Sequence, residues 1–254
     1  MRTLLLVSLI SMLSVDALAQ SASTQQGQRA PTISELRRQG PPKGPVPRLP
    51  DGKPDLYDVA WLATGGNFRE HDQLMLPSAK EIMAKRDVTQ DPHNFCMPDV
   101  VPRTTPFPFR LVANYTHKAP THLFIVYEGN IHSFRQVFMD GRKHPEELDP
   151  TWYGHSIGWW EGDTLVIDTV GFNDKAWYDG RGTPHTERLH TVERITRLDL
   201  GRLEIKVTID DPGAYSKPFV VTLNARTTIG DEVKEYICQE GNQYGIGTLG
   251  APGR

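Results

Sequence analysis

The chain has 254 residues, 38% of them hydrophobic, and a formal net charge of −3. That is enough apolar content for one large domain or two small ones. No basic run of the kind a phosphate backbone needs stands out, so nucleic acid is not an expected partner.

Met1-Arg2 carries one positive charge, Leu4 to Val15 is an apolar run broken only by serines, and Ala17-Leu18-Ala19 is a small-x-small cleavage pattern. Charged, apolar and small-residue regions in that order define a secretory signal peptide. Residues 1–19 are therefore expected to be removed, and the remainder exported to the periplasm or the medium. The run is shorter than the roughly 20 apolar residues that span a bilayer, and no other run serves as a membrane span. The alternative is a retained anchor.

Residues 20–55 are rich in Gln, Ser, Gly and Pro and read as a tether or an arm laid over the domain. A single domain is expected over 56–240, with a C-terminal tail at 241–254. A short helix is expected at Ser78–Arg86, with Ser78 as its cap. Residues 87–109 return to Pro-rich irregular chain.

From there, short runs rich in Val, Ile, Thr and aromatics recur between turn signals. They are Phe109–Tyr115, His122–Glu128, His132–Met139, His155–Trp160, Thr164–Val170, Leu189–Leu198, Leu203–Ile209, Pro218–Thr227 and Glu232–Cys238. Sequential hairpins make an antiparallel meander, and a meander of this length closes into a barrel to remove its edges. The expected fold is all-β, a lipocalin-like barrel with room for one small ligand; a two-sheet sandwich is the alternative.

The two cysteines, Cys96 and Cys238, are expected to form a disulfide in an oxidising compartment. It would close a loop of about 140 residues, worth roughly 4–5 kcal/mol in the chain-entropy model. Two free thiols or a metal site are the alternatives.

Hairpin registers suggest which polar groups face inward. With a Leu200-Gly201 turn, Leu198 faces Leu203, so the apolar face of Leu203, Ile205, Val207 and Ile209 also carries His190 and Arg194; Arg197 then pairs with Glu204 toward solvent. A one-residue slip reverses this. In the hairpin Tyr153–Asn173, a Glu161-Gly162 loop sets His155 opposite Asp168. A Gly162-Asp163 loop puts them on one face along the diagonal, and a three-residue bulged loop separates them. A carboxylate that orients an imidazole builds a general base; the plain reading is a structural cross-strand bond. Around Gly129-Asn130, Glu128 and Arg135 share a face with Phe124, Val126 and Val137, as a ligand clamp or a barrel-mouth salt bridge.

The stretch Trp177–Glu193 holds Trp177, Asp179, His185, Glu187, His190 and Glu193. Its spacing invites a metal, yet Glu187 and Glu193 have one strand parity and His190 the other, so no metal is expected. His185, after Pro184, is placed over the barrel mouth. No phosphate loop, nucleophile elbow or dinucleotide fingerprint is present, so no cofactor is expected.

The stretch Pro150–Asn173, PTWYGHSIGWWEGDTLVIDTVGFN, is similar to a widespread family of secreted bacterial proteins. So are Asp140-Gly141-Arg142, Pro184-His185-Thr186-Glu187, Leu189-His190, Glu193-Arg194 and Thr208-Ile209-Asp210-Asp211-Pro212. The likeness covers roughly residues 45–240. It implies an exported domain and no particular reaction, and it adds weight to His185 and His190 as site residues.

The expected function is cofactor-free acid–base chemistry (lyase, dehydratase, isomerase or hydrolase) on a small, partly apolar or aromatic molecule. His155, oriented by Asp168, moves a proton; His190 is the second acid–base group; Arg194 and Arg135 hold an anionic oxygen. Glu128, Tyr153, Trp159, Trp160, Phe172, Asn173, Trp177 and His185 shape the pocket. The alternative is a small-molecule carrier with the same cavity and no chemistry.

Overall fold

The computed structural model describes residues 38, 40–103, 108–116, 119–129, 133–227 and 232–238. The expected signal peptide and the expected C-terminal tail lie outside the described residues. None of the described helices is long and apolar enough to cross a membrane.

Nine strands form one curled half-barrel sheet. They are β1 (Leu62–Gly65), β2 (Phe109–Thr116), β3 (Ala119–Tyr127), β4 (Phe134–Phe138), β5 (His155–Glu161), β6 (Thr164–Val170), β7 (His190–Arg197), β8 (Arg202–Asp210) and β9 (Phe219–Arg226). The order is β1-β9-β8-β7-β6-β5-β4-β3-β2. Every neighbouring pair is antiparallel except β4 and β5, which run parallel. The sheet curls so far that its two edges touch. Trp61 and Phe109 exchange backbone hydrogen bonds of 2.8 and 2.9 Å.

Strict alternation builds the interior. On β8, Leu203, Ile205, Val207 and Ile209 are buried, while Arg202 and Lys206 are exposed and Glu204 and Thr208 half-buried. Each such aliphatic side chain contributes about 1.5–3 kcal/mol by leaving water.

Helix α1 (Pro77–Lys85) starts with Pro77 in its first turn, and no side chain caps it. The expected cap, Ser78, lies inside the helix, because proline's fixed φ suits the first helical position. Two further expectations change. The run 232–238 is not a strand. The outer place beside β9 is taken by β1, a short strand lying in a region without strand periodicity. Residues 40–58 lie against the hairpin ends: Leu200 N–H donates to Gly44, and Arg48 pairs with Asp163 at 2.6 Å.

Cys96 and Cys238 are bonded, across 142 residues of chain.

Two registers differ from expectation by one residue. On β7–β8, Arg197 pairs with Leu203 and Ile195 with Ile205. The connection is therefore Leu198–Gly201, two residues longer than a tight turn. Thr191, Glu193, Ile195 and Arg197 point inward, and His190 and Arg194 point outward. On β3–β4, Ile125 pairs with Arg135 and Leu123 with Val137. Glu128 is therefore not Arg135's partner. The physical reason is common to both: the side-chain period is two, so a longer loop flips every residue of a strand.

The interior carries one charged layer. Arg135 and Glu193, each 1% exposed, meet at 2.5 Å. Arg135 Nε donates to Ser156 Oγ at 3.0 Å and Nη2 to Thr169 Oγ1 at 2.6 Å. Burial alone would lower the Arg135 pKa; Glu193 and Tyr127 outweigh it, and the guanidinium sits above its ordinary value.

Candidate functional site

The β5–β6 hairpin turns through Gly162-Asp163, with Glu161 opposite Thr164 and Ile157 opposite Asp168. His155 and Asp168 thus share the outer face, on the diagonal. His155 stands opposite Val170. The β6–β7 register, continued one residue past Thr169–Thr191, sets His190 on the other side of that valine. Two strand spacings separate the two histidine backbones by about 10 Å.

Local backbone fixes His155. Gly154 has φ +64, and a Cβ there would lie 2.6 Å from the Val170 carbonyl oxygen. Only glycine lets the chain enter β5 so close to β6.

A residue not anticipated completes the group. His144 comes from the crossover 139–154 between the two parallel strands. Its Nδ1 lies 2.8 Å from His155 Nδ1, and its Nε2 lies 3.0 Å from Asp168 Oδ1. His190 Nε2 reaches the same oxygen at 2.9 Å. The result is one chain, His155–His144–Asp168–His190. Neither periodicity nor spacing points to His144, which sits in a turn-rich loop; its only sequence signal was proximity to Asp140-Gly141-Arg142.

Protonation follows from the partners. Burial raises the Asp168 pKa, but hydrogen bonds and charge from His190 and His144 outweigh it and hold the carboxyl below its ordinary value. An ionised carboxylate only accepts, so His144 Nε2 donates. The contact between the two Nδ1 atoms needs one donor and one acceptor; with the His144 proton on Nε2, His144 accepts at Nδ1, His155 donates from Nδ1, and the His155 lone pair lies on Nε2. Burial, then the charges of His144 and Arg142, lower the His155 pKa. The hydrogen bond to Asp168 raises that of His190. The two imidazoles at the ends of the chain are thus pushed in opposite directions. Around them, Phe138 stacks on His155 at 5.0 Å, and the Arg142 guanidinium lies 3.9 Å above Phe138.

The remaining expected site residues are dispersed. Arg194 lies outside the group, paired with the exposed Glu161 at 2.6 Å; Trp159, 39% exposed, donates to that same Glu161 at 3.0 Å. Arg135 is sealed in the interior. Glu128 accepts from Lys234 N–H at 3.0 Å. Tyr153 packs beside Tyr127, with its pKa raised by burial. Phe172 is core, and Asn173 accepts from Lys175 N–H. Trp177 lies under Arg86 at 4.9 Å. His185 is buried beside Tyr178, and burial lowers its pKa to about 4. Arg194 and Trp159 share the outer face with the imidazoles but stand beside Val166, toward the Gly162-Asp163 turn, whereas Arg135, Phe172 and His185 are buried, so the set does not line one pocket.

A second polar cluster, also not anticipated, lies in the Pro-rich stretch. Buried Asp91 and Asp99 hold Arg103, and Asp99 accepts from His93 Nδ1 at 2.9 Å. Among the described residues, no group of three or more His, Cys, Asp or Glu is arranged to hold a metal ion. No family model, curated protein or solved structure matches the chain.

Proposed function

We propose that the protein is an exported acid–base enzyme whose reacting groups are the imidazoles of the outer face, and that it belongs to the secreted family its Pro150–Asn173 stretch resembles. The carrying observation is the unbroken chain from His155 through His144 and Asp168 to His190. His155 Nε2 takes a proton. Positive charge developing on that ring is shared through His144 with the Asp168 carboxylate. His190, cationic over a wider pH range than a free imidazole, returns a proton to the departing or rearranging group. The chemistry fits lyases, dehydratases, isomerases and hydrolases of small, partly apolar substrates. The signal-like leader and the disulfide support export.

A generic proton-abstraction substrate, nitrobenzisoxazole, tests the base. His155→Ala and Asp168→Asn are expected to lower its ring-opening rate about a hundredfold, the scale of a positioned base. Val220→Ala, on exposed β9 surface, leaves it unchanged. Long-range nitrogen–proton NMR is expected to show His155 protonated on Nδ1. Equal rates in wild type and His155→Ala, together with the Nε2–H form, would overturn the proposal.

A further inference from the structure

The outer face of β2, β3 and β4 carries a cavity of about 510 Å³, lined by Val112, Phe124, Val126, Phe134, Val233 and Lys234. This volume lies within the range of small-molecule sites, roughly 300–1,000 Å³. Its lining follows the usual construction, apolar and aromatic walls with few polar groups. Phe124 and Phe134 meet edge to face at 5.5 Å. Phe134 is 54% and Val112 44% exposed, so large apolar side chains border the opening.

The wall across from the sheet is the segment 232–238. It runs past the sheet without joining it and is fastened at three points. Glu232 pairs with Arg110 at 2.5 Å, Lys234 N–H donates to Glu128 at 3.0 Å, and Cys238 is bonded to Cys96. A segment tied down but not strand-paired leaves a slot between itself and the sheet.

Two charged side chains border the slot, the Glu128 carboxylate and the Lys234 ammonium. The Glu128 carboxylate already accepts from the backbone of Lys234, and Arg110 is engaged by Glu232 and the Tyr57 carbonyl. Among the described residues the Lys234 ammonium makes no ion pair. It is the cation at the rim of an apolar slot.

We propose that this slot is a binding site for a small anion bearing one to three fused or linked rings, with the rings against Phe124 and Phe134 and the anionic group toward Lys234. The site is separate from the imidazole chain, and the proposal does not depend on the acid–base reading. One of the three fastenings of its far wall is the Cys96–Cys238 bond, so opening that bond is expected to weaken binding.

Fluorescence titration of the full chain with anilinonaphthalene sulfonate, and with the uncharged N-phenylnaphthylamine, tests this. One saturable site per chain is expected for each probe. Phe134→Asp is expected to weaken both by at least about tenfold, as removal of an aromatic anchor does. Lys234→Glu weakens the sulfonate by about tenfold and leaves the uncharged probe within about twofold, because only one of them carries the partner charge. The double variant Cys96→Ser/Cys238→Ser weakens both. Circular dichroism establishes that each variant is folded, and Val112→Asp replaces Phe134→Asp if the latter is not. Absence of saturable binding, or binding indifferent to both apolar variants, overturns the site. Equal losses for the two probes with Lys234→Glu overturn the anionic class of ligand. Undiminished binding by the cysteine variant overturns the contribution of the disulfide.

Discussion

Glu193→Gln removes a single charge from the barrel interior and keeps its shape. In the native protein Arg135 and Glu193 are each 1% exposed and 2.5 Å apart. In the variant, Arg135 retains its donations to Ser156 and Thr169 but loses its countercharge. Breaking one member of a buried pair costs about 3–5 kcal/mol, mostly because the other charge is stranded. In a domain of this size each kcal/mol lowers the melting temperature by about 2–4 °C, so a fall of about 6–20 °C is expected. Replacing both members, Arg135→Met with Glu193→Leu, removes both desolvated charges. It is expected to recover most of the loss despite the donors withdrawn from Ser156 and Thr169. Thermal melting followed by circular dichroism, with a double-mutant cycle from guanidinium titration, measures the coupling. A Glu193→Gln variant within about 1 kcal/mol of wild type would refute the reasoning, because that is the scale of an exposed pair. Additive losses in the double variant would refute it too.

Other outcomes follow from the same structure. Arg194→Ala is expected to cost less than about 1 kcal/mol, since its bond to Glu161 is exposed. Arg197→Ala is expected to cost at least about 3 kcal/mol. Its buried guanidinium donates to Asp58, the Asp55 and Leu200 carbonyls and the Asp199 carbonyl, and covers Trp61. Reversed magnitudes in urea unfolding would mean that the β7 register is the other one. His185, held neutral by burial with its pKa near 4 instead of 6.5, makes the native state bind fewer protons than the unfolded chain. Its contribution is intact above the unfolded value and is lost as pH falls through the folded one, about 3 kcal/mol in total at about 1.4 kcal/mol per tenfold change in proton affinity. His185→Asn is expected to flatten that part of the acid stability profile; an unchanged profile counts against buried neutral His185. Opening the disulfide, whose loop spans 142 residues, is expected to cost about 5 kcal/mol in the chain-entropy model. Equal urea midpoints for wild type and the double cysteine-to-serine variant would show that the loop is already constrained.

The sequence carries the architecture where a local rule governs it. Alternation marks β8, the two-residue Gly162-Asp163 turn fixes β5–β6, and the His155–Asp168 diagonal follows from that turn. Where loop length decides, alternation alone is blind. The Leu198–Gly201 connection offers a plausible tight turn inside a longer one, and choosing it exchanged His190 and Arg194 with Glu193 and Arg197. Glu232–Cys238 has strand composition but is held by a disulfide and two polar contacts instead of a ladder. β1, four residues ending in glycine, has too little length to show a period. His144 reaches the site through tertiary placement of a loop, which no spacing rule encodes.

The parallel joint between β4 and β5 has a consequence for how such a site arises. A hairpin reverses direction at the rim of a sheet and leaves the face bare. Two parallel neighbours oblige the chain to travel back the full height of the strands, and here that return, residues 139–154, crosses the outer face and sets a third imidazole upon it. The meander supplies a rigid wall with two histidines at fixed stations. The one departure from the meander supplies the residue that joins them. Insertions in this return would detach the relay without disturbing the wall, so variation in its length is a direct handle on the chemistry, separable from the fold.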